Sequence, residues 1–124
     1  MKKYSIYDEE KKLDRAWFDS TNAIYGECQD NPNDLKTVKI VFKNGAQYIY
    51  EGIPVNNWLL FRESESQGSA LYKYFACKDK RTKKPLYETR KIEDADLIKI
   101  QNEYQRLTQI ISEETKEENP LIEE

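Results

Sequence analysis

Between residues 35 and 75 the chain reads LKTVKIVFKNGAQYIYEGIPVNNWLLFRESESQGSALYKYF. Val38, Ile40 and Phe42 alternate with Lys39 and Lys43, and Ala46, Tyr48 and Tyr50 alternate with Gln47 and Ile49. A period of two is the mark of a strand with one buried face. Asn44-Gly45 stands between the two runs, and a two-residue type I′ turn favours that pair because it needs positive φ twice. A hairpin in a three- or four-stranded antiparallel sheet with one wet face follows. Pro54 fits the first turn of a helix, where its missing N–H costs nothing. Trp58, Leu59 and Phe61, joined by Val55, supply a face to cover the sheet. SESQGS at 64–69 interrupts the helix, with Ser66 or Ser69 able to cap a second helix at 70–76 that carries Leu71, Tyr72, Tyr74 and Phe75.

The flanks are less regular. In residues 1–15 Ile6 and Leu13 lie a heptad apart, which suits a short helix or an arm docking on a neighbour. Residues 22–28 read as a first strand, with Ile24 on one face and Ala23 and Tyr25 on the other. Asp30-Asn31-Pro32-Asn33-Asp34 is a loop of turn formers. Residues 73–91 hold eight cations against Asp79 and Glu88. That segment is either a solvated loop or an anion-binding lip. Glu93, Asp94 and Asp96 favour a helix start. The helix predicted over 93–114 carries Leu97, Ile100, Tyr104, Leu107 and Ile111 as a heptad seam, which either docks on its own domain or pairs with another chain. Residues 113–124, with six acids and one lysine, are read as solvated and frayed.

Composition narrows what such a fold can do. In 124 residues, 38% are hydrophobic and 35% charged, so the core is thin and self-association becomes a plausible support. Histidine is absent, which removes the commonest general base and metal ligand, and no carboxylate pair stands out. The expectation is a non-enzymatic protein without cofactor or metal. Cys28 and Cys77 form no CxxC and read as small buried residues of a reduced cytoplasmic protein, and no apolar run can span a membrane. A net charge of −3 argues against long contact with nucleic acid but not against a small phosphorylated ligand.

The stretch 18–75 resembles the KTSC-type small domain, found alone in microbes and phages and fused to some lysyl-tRNA synthetases. The matching residues are Ser20, Thr21 and Asn22, then Val38, Ile40, Phe42, Gly45, Tyr48 and Tyr50. Ile53-Pro54, Trp58, Leu59, Ser66, Gly68 and Tyr74 complete them. These are structural punctuation, specific for fold more than for function. In size and layout the whole chain is similar to the first type of phage Thoeris anti-defence sponge. That resemblance implies sequestration of a cyclic ADP-ribose-type signal, and in some members a cyclic di- or trinucleotide. It also implies a homo-oligomer acting in the bacterial cytoplasm and blocking Thoeris- or CBASS-like immunity. The KTSC likeness alone implies an RNA- or protein-interaction module instead.

A nucleotide sponge needs planes for the base and cations or N–H donors for the pyrophosphate. Phe18, Tyr25, Trp58 and Phe75, with Trp17, are stacking candidates, each of which reads more readily as core than as ligand wall. Arg62, Lys84, Arg90 and Arg106 are candidate phosphate or base partners, though Arg62 and Arg106 also suit surface ion pairs. Ser66, Gly68 and Ser69 offer hydroxyls and backbone N–H groups. The expected organisation is α+β: a small sheet covered by two short helices as a ligand-binding body over 1–91, and an oligomerisation or docking helix with an acidic tail over 92–124.

Overall fold

A computed structural model of the chain describes residues 1–30 and 35–118, with the backbone alone for 110–118. Most of the loop at 30–34, the side chain of the seam residue Ile111 and the acidic run 113–124 therefore lie outside the described side chains. Six strands run in chain order across one antiparallel sheet. They are β1 (Lys2–Asp8), β2 (Leu13–Phe18), β3 (Ala23–Gln29), β4 (Leu35–Phe42), β5 (Gln47–Pro54) and β6 (Glu88–Ile92). Helices α1 (Val55–Arg62) and α2 (Gln67–Tyr74) follow β5, and α3 (Leu97–Glu118) follows β6. The α+β class stands, but a sheet of three or four strands does not. The charged segment expected to be an arm or short helix pairs as β1, and the end of the basic segment pairs as β6. Both are edge strands that take one neighbour each. Pairing to a preformed edge, which local periodicity does not record, decides them.

The β4–β5 hairpin forms as expected, with a different turn. Gly45 N–H donates to the Phe42 carbonyl at 2.9 Å and Phe42 N–H to the Ala46 carbonyl at 2.9 Å. Gly45 alone in the loop has a left-handed φ, of 94°. That is a three-residue loop, a type I turn closed by a glycine, not the two-residue type I′ form. The side chain of Asn44 works elsewhere, accepting from Ala46 N–H at 3.0 Å.

The sheet has no wet face at its centre. On one side Ala16, Phe18, Ala23, Cys28, Val38, Ile40, Tyr50 and Ile53 meet Trp58 and Phe61 of α1 and Ala70, Leu71 and Phe75 of α2 and its C-cap. On the other, Trp17, Tyr25 and Val41 are buried beneath Leu97, Ile100, Tyr104 and Leu107. The heptad seam is thus used inside the chain. Trp17 Nε1 donates to the Ile100 carbonyl at 3.2 Å, tying helix to sheet across that face.

Two bulges sort residues between these faces. A register shift between Ala23 and Tyr25 sends them to opposite clusters, where strict alternation would keep them together. In β5 an extra residue opposite Lys36–Val38 is absorbed at Gly52, whose φ is 73°, and this returns Ile53 to the first core.

Helix ends follow their local chemistry. Ser66 caps α2, its side chain accepting from Ser69 N–H at 3.3 Å. Asp96 caps α3, accepting from Lys99 N–H at 3.1 Å. The fully buried Gln67 donates to the Ser64 carbonyl at 2.8 Å and stitches α1 to α2. No helix among the described residues is long and apolar enough to cross a membrane.

Gly26 lies at the tightest packing point of the first core. A Cβ there would meet Ile40 Cδ1 at 3.0 Å, Trp58 Cζ3 at 3.2 Å and Phe18 Cε2 at 3.3 Å. Gly26→Ala should therefore cost about 1–3 kcal/mol by overpacking. Urea unfolding followed by tryptophan fluorescence tests it; a midpoint equal to wild type would contradict the packing described.

Candidate functional site

The sequence candidates do not converge on one site. Phe18, Trp58 and Phe75 gather around Phe61, with ring centroids at 5.3, 6.1 and 4.6 Å from it, and all three are closed off from solvent. They are core: Phe18 points from β2 toward the helices, and Trp58 of α1 and Phe75 at the end of α2 point back at the sheet. Arg62 is committed, its Nη1 2.6 Å from Asp14 Oδ2, which also accepts from Trp58 Nε1 at 2.7 Å. Ser66 and Ser69 form the α2 cap, and Gly68 lets that turn approach Asn22: a Cβ would fall 2.3 Å from Asn22 Nδ2. Arg90 pairs with Glu51 at 3.3 Å on the β5–β6 edge. Lys84 lies in an exposed turn, and Arg106 borders a shallow depression of about 320 Å³ on α3.

Tyr25 belongs to the opposite face, inside a polar network. Arg15, only 8% exposed, donates from Nε to Tyr25 Oη at 2.7 Å and from Nη2 to Glu103 Oε2 at 2.7 Å. Tyr25 in turn donates to Glu27 at 2.9 Å, and Lys39 pairs with Glu27 at 3.3 Å. Burial, reinforced by Glu27, pushes the Tyr25 phenol strongly upward against the opposing pull of Arg15. These groups line a cavity of about 400 Å³ below α3, together with Asp94, Asp96 and Lys99. Two of its cations, Arg15 and Lys39, are already paired with Glu103 and Glu27, and four carboxylates face any entering phosphate.

A second groove, of about 460 Å³, opens between the β4–β5 hairpin and α2. Its aromatic wall is Phe42, Tyr48, Tyr50 and Tyr72, and its polar side is Thr21, Asn22, Lys43 and Asn44. The hairpin builds it: Phe42 and Tyr48 meet edge to face at 5.6 Å and line the groove together with Leu71 and Tyr72 of α2. Tyr72 is 68% exposed, a ring held at the rim without a packing partner. The register adds one more group. Lys91 of β6 stands opposite Tyr48, and directly opposed residues point to the same face. Neither Lys43 nor Lys91 has an ion-pair partner among the described residues. The lining contains no carboxylate, imidazole or thiol.

Of these residues, Thr21, Asn22, Phe42, Tyr48 and Tyr50 carry the KTSC resemblance as fold markers. Lys43, Asn44, Tyr72 and Lys91 were not among the ligand candidates. The signal for them in the sequence is Phe42, Tyr48 and Tyr50 on one face of the hairpin, with Lys43 and Asn44 in the turn beside them. Among the described residues no cluster of three or more acidic, histidine or cysteine side chains is placed to hold a metal. Comparison with protein-family models, curated proteins and solved structures returns no match.

The thiols are not nucleophiles of this site. Cys28 is buried and free, and burial, with Asp14 adding to it, pushes its thiol up to about 12. Cys77 is half-buried. A thiol reagent at pH 8 should label one cysteine per native chain, at Cys77, and Cys28 only after unfolding; rapid labelling of both would contradict the burial. Burial also raises the Tyr50 phenol to about 12. In the unfolded chain both groups ionise first, at ordinary values of 9.0 and 10.0, so stability held below pH 9 is lost as pH rises toward 12. The urea midpoint should fall from pH 8 to pH 11.5, and a flat profile would count against it.

Proposed function

We propose that the chain is a non-enzymatic binding protein that takes a small phosphorylated nucleotide of the cyclic ADP-ribose class into the hairpin–α2 groove. One observation carries the reading: the partly exposed Tyr48, the exposed Tyr72 and two cations without an ion-pair partner among the described residues lie at or beside a groove whose lining holds no carboxylate to repel phosphate. Tyr48 and Tyr72 supply planes for a base, each stacked base contributing about 1–3 kcal/mol. Lys43 and Lys91 supply positive charge for a pyrophosphate, and Asn22, Asn44 and Thr21 supply donors for ribose or base edges. A groove of about 460 Å³ suits a ligand of this size, since small-molecule sites fall in the range of roughly 300–1,000 Å³.

That the ligand is a small phosphorylated nucleotide rests on the groove's chemistry, while the cyclic ADP-ribose class and the immune role rest on the likeness to the anti-defence sponges. On that reading the protein acts in an infected bacterial cytoplasm, withdrawing a cyclic ADP-ribose-type signal, or a cyclic oligonucleotide, from Thoeris- or CBASS-like immunity. A homo-oligomer remains part of the proposal. Its contact surface is not the α3 seam positions 97, 100, 104 and 107, which lie against the sheet of the same chain.

The decisive experiment is calorimetry with cyclic ADP-ribose isomers and cyclic di- and trinucleotides, followed by heat release and chromatography of the ligand. Binding with the ligand recovered intact is the expected result. Tyr48→Ala should weaken it by about five- to a hundredfold, the loss of one stacking plane. Lys43→Glu should weaken it with increased salt insensitivity. No binding of any of these nucleotides at micromolar concentration would sink the reading.

A further inference from the structure

Past the groove, the chain makes a turn with no counterpart elsewhere among the described residues. Lys78, Lys80, Arg81, Lys83 and Lys84 place five cations within seven residues of an otherwise acidic chain. The turn is built and closed. Lys78 and Pro85 form a β-bridge, and Leu86 N–H donates to the Cys77 carbonyl at 3.0 Å beneath it. Asp79 N–H donates to the Lys84 carbonyl at 2.8 Å, and Lys83 N–H to the Asp79 carbonyl at 2.9 Å. Lys83 holds a left-handed φ of 63°, which keeps the turn tight.

The one acid in the turn does not pair with these cations. The Asp79 carboxylate accepts from the backbone N–H groups of Thr82 and Arg81, at 2.9 and 2.8 Å, and those bonds hold it below the usual carboxylate range. None of the five cations makes an ion pair among the described residues. Some surface cations elsewhere do, Lys2 with Glu63, Lys39 with Glu27 and Arg90 with Glu51, and those that do not are spread along the chain instead of crowded into one turn. Packing gives no reason for five like charges here, since every one of them is exposed. Crowding them costs repulsion that a partner of opposite charge would relieve.

We propose that the turn at 78–84 is a docking site for a single-stranded phosphodiester chain, with Tyr72 as the plane on which an adjoining base stacks. Tyr72 is the most exposed ring of the molecule at 68%, and it shares a wall with Ala76, two residues before Lys78. An exposed ring beside a cationic track is the arrangement that grips unpaired strands, whose bases are free to stack. A duplex offers no such base. The chain's net charge of −3 keeps the contact short, confined to the turn itself.

The test is fluorescence anisotropy of labelled U12 RNA and dT12 DNA with the full chain, across a salt series. Five cations set a ceiling of about −3.5 on the slope of log K against log salt, at roughly −0.7 per phosphate. Lys80→Glu with Lys84→Glu leaves the left-handed Lys83 in place. It should weaken binding more than about tenfold and flatten the slope by about 1.4. Lys99→Glu with Arg106→Glu imposes the same charge change on α3 and should alter binding by less than about threefold. Tyr72→Ala should weaken the single strands and leave any residual duplex binding unchanged. Equal affinity for RNA and DNA, or a preference for RNA through its 2′-hydroxyls, both support the site. No salt-dependent binding, or equal losses from the two charge-reversed pairs, would overturn it. Thermal melts of each variant by circular dichroism separate lost docking from lost fold. Tyr72 also lines the hairpin–α2 groove, so the two charge-reversed pairs, which leave that lining unchanged, decide the docking site separately from what the groove binds.

Discussion

Everything in this fold depends on a sheet that is apolar on both sides at its centre. Ala16, Trp17 and Phe18 are consecutive in β2 and all buried, so alternation sends Trp17 to one face and its neighbours to the other. Val41 follows Ile40 in β4 with the same consequence. A sheet of this kind needs cover twice, and the chain provides it from two places: α1 and α2 directly after the hairpin, and α3 after the last strand. The faces differ in chemistry. The first is a dry aromatic core around Phe61; the second joins a smaller apolar cluster to the ionic network of Arg15, Tyr25 and Glu103.

Cover is incomplete at one corner, and that is where the groove lies. Helix α2 has eight residues, and beside it Phe42 and Tyr48 stay only partly buried while Tyr72 stands exposed. The basic turn follows α2 in the chain, just after Ala76 of the groove's lining. Uncommitted aromatic and cationic groups therefore share one region, while the ionic network on the opposite face is internally satisfied. A molecule with a thin core and a heavily charged surface has concentrated its unanswered chemistry in one place, and binding is the use such a place best supports.

Local chemistry was legible wherever it determined the outcome by itself. The hairpin, the Ser66 cap, the break at 64–69 and the amphipathic third helix all rest on neighbours in sequence. The edge strands were not, since β1 and β6 are charged segments whose strand character comes from the neighbour they pair with. The candidate site was mostly missed for a related reason. Phe18, Trp58 and Phe75 look identical to ligand-stacking rings until one knows which way their elements face, and they face the core. Lys91 approaches Tyr48 across a pairing of residues 43 apart in the chain, which no spacing rule reports.

Sequence by itself determined the class of the protein: α+β, without histidine chemistry, aromatic, acidic overall with one basic segment, and carrying a helix with a seam that had to be buried somewhere. Tertiary structure decided where that seam went. The apolar patch of Trp17, Tyr25 and Val41 was waiting on the sheet of the same chain, and an intramolecular partner has the advantage of high effective concentration over a second subunit. It also decided which tyrosines remain at the surface, because exposure follows from how far one element reaches past another. That is a property of lengths and registers in space, and no single segment contains it.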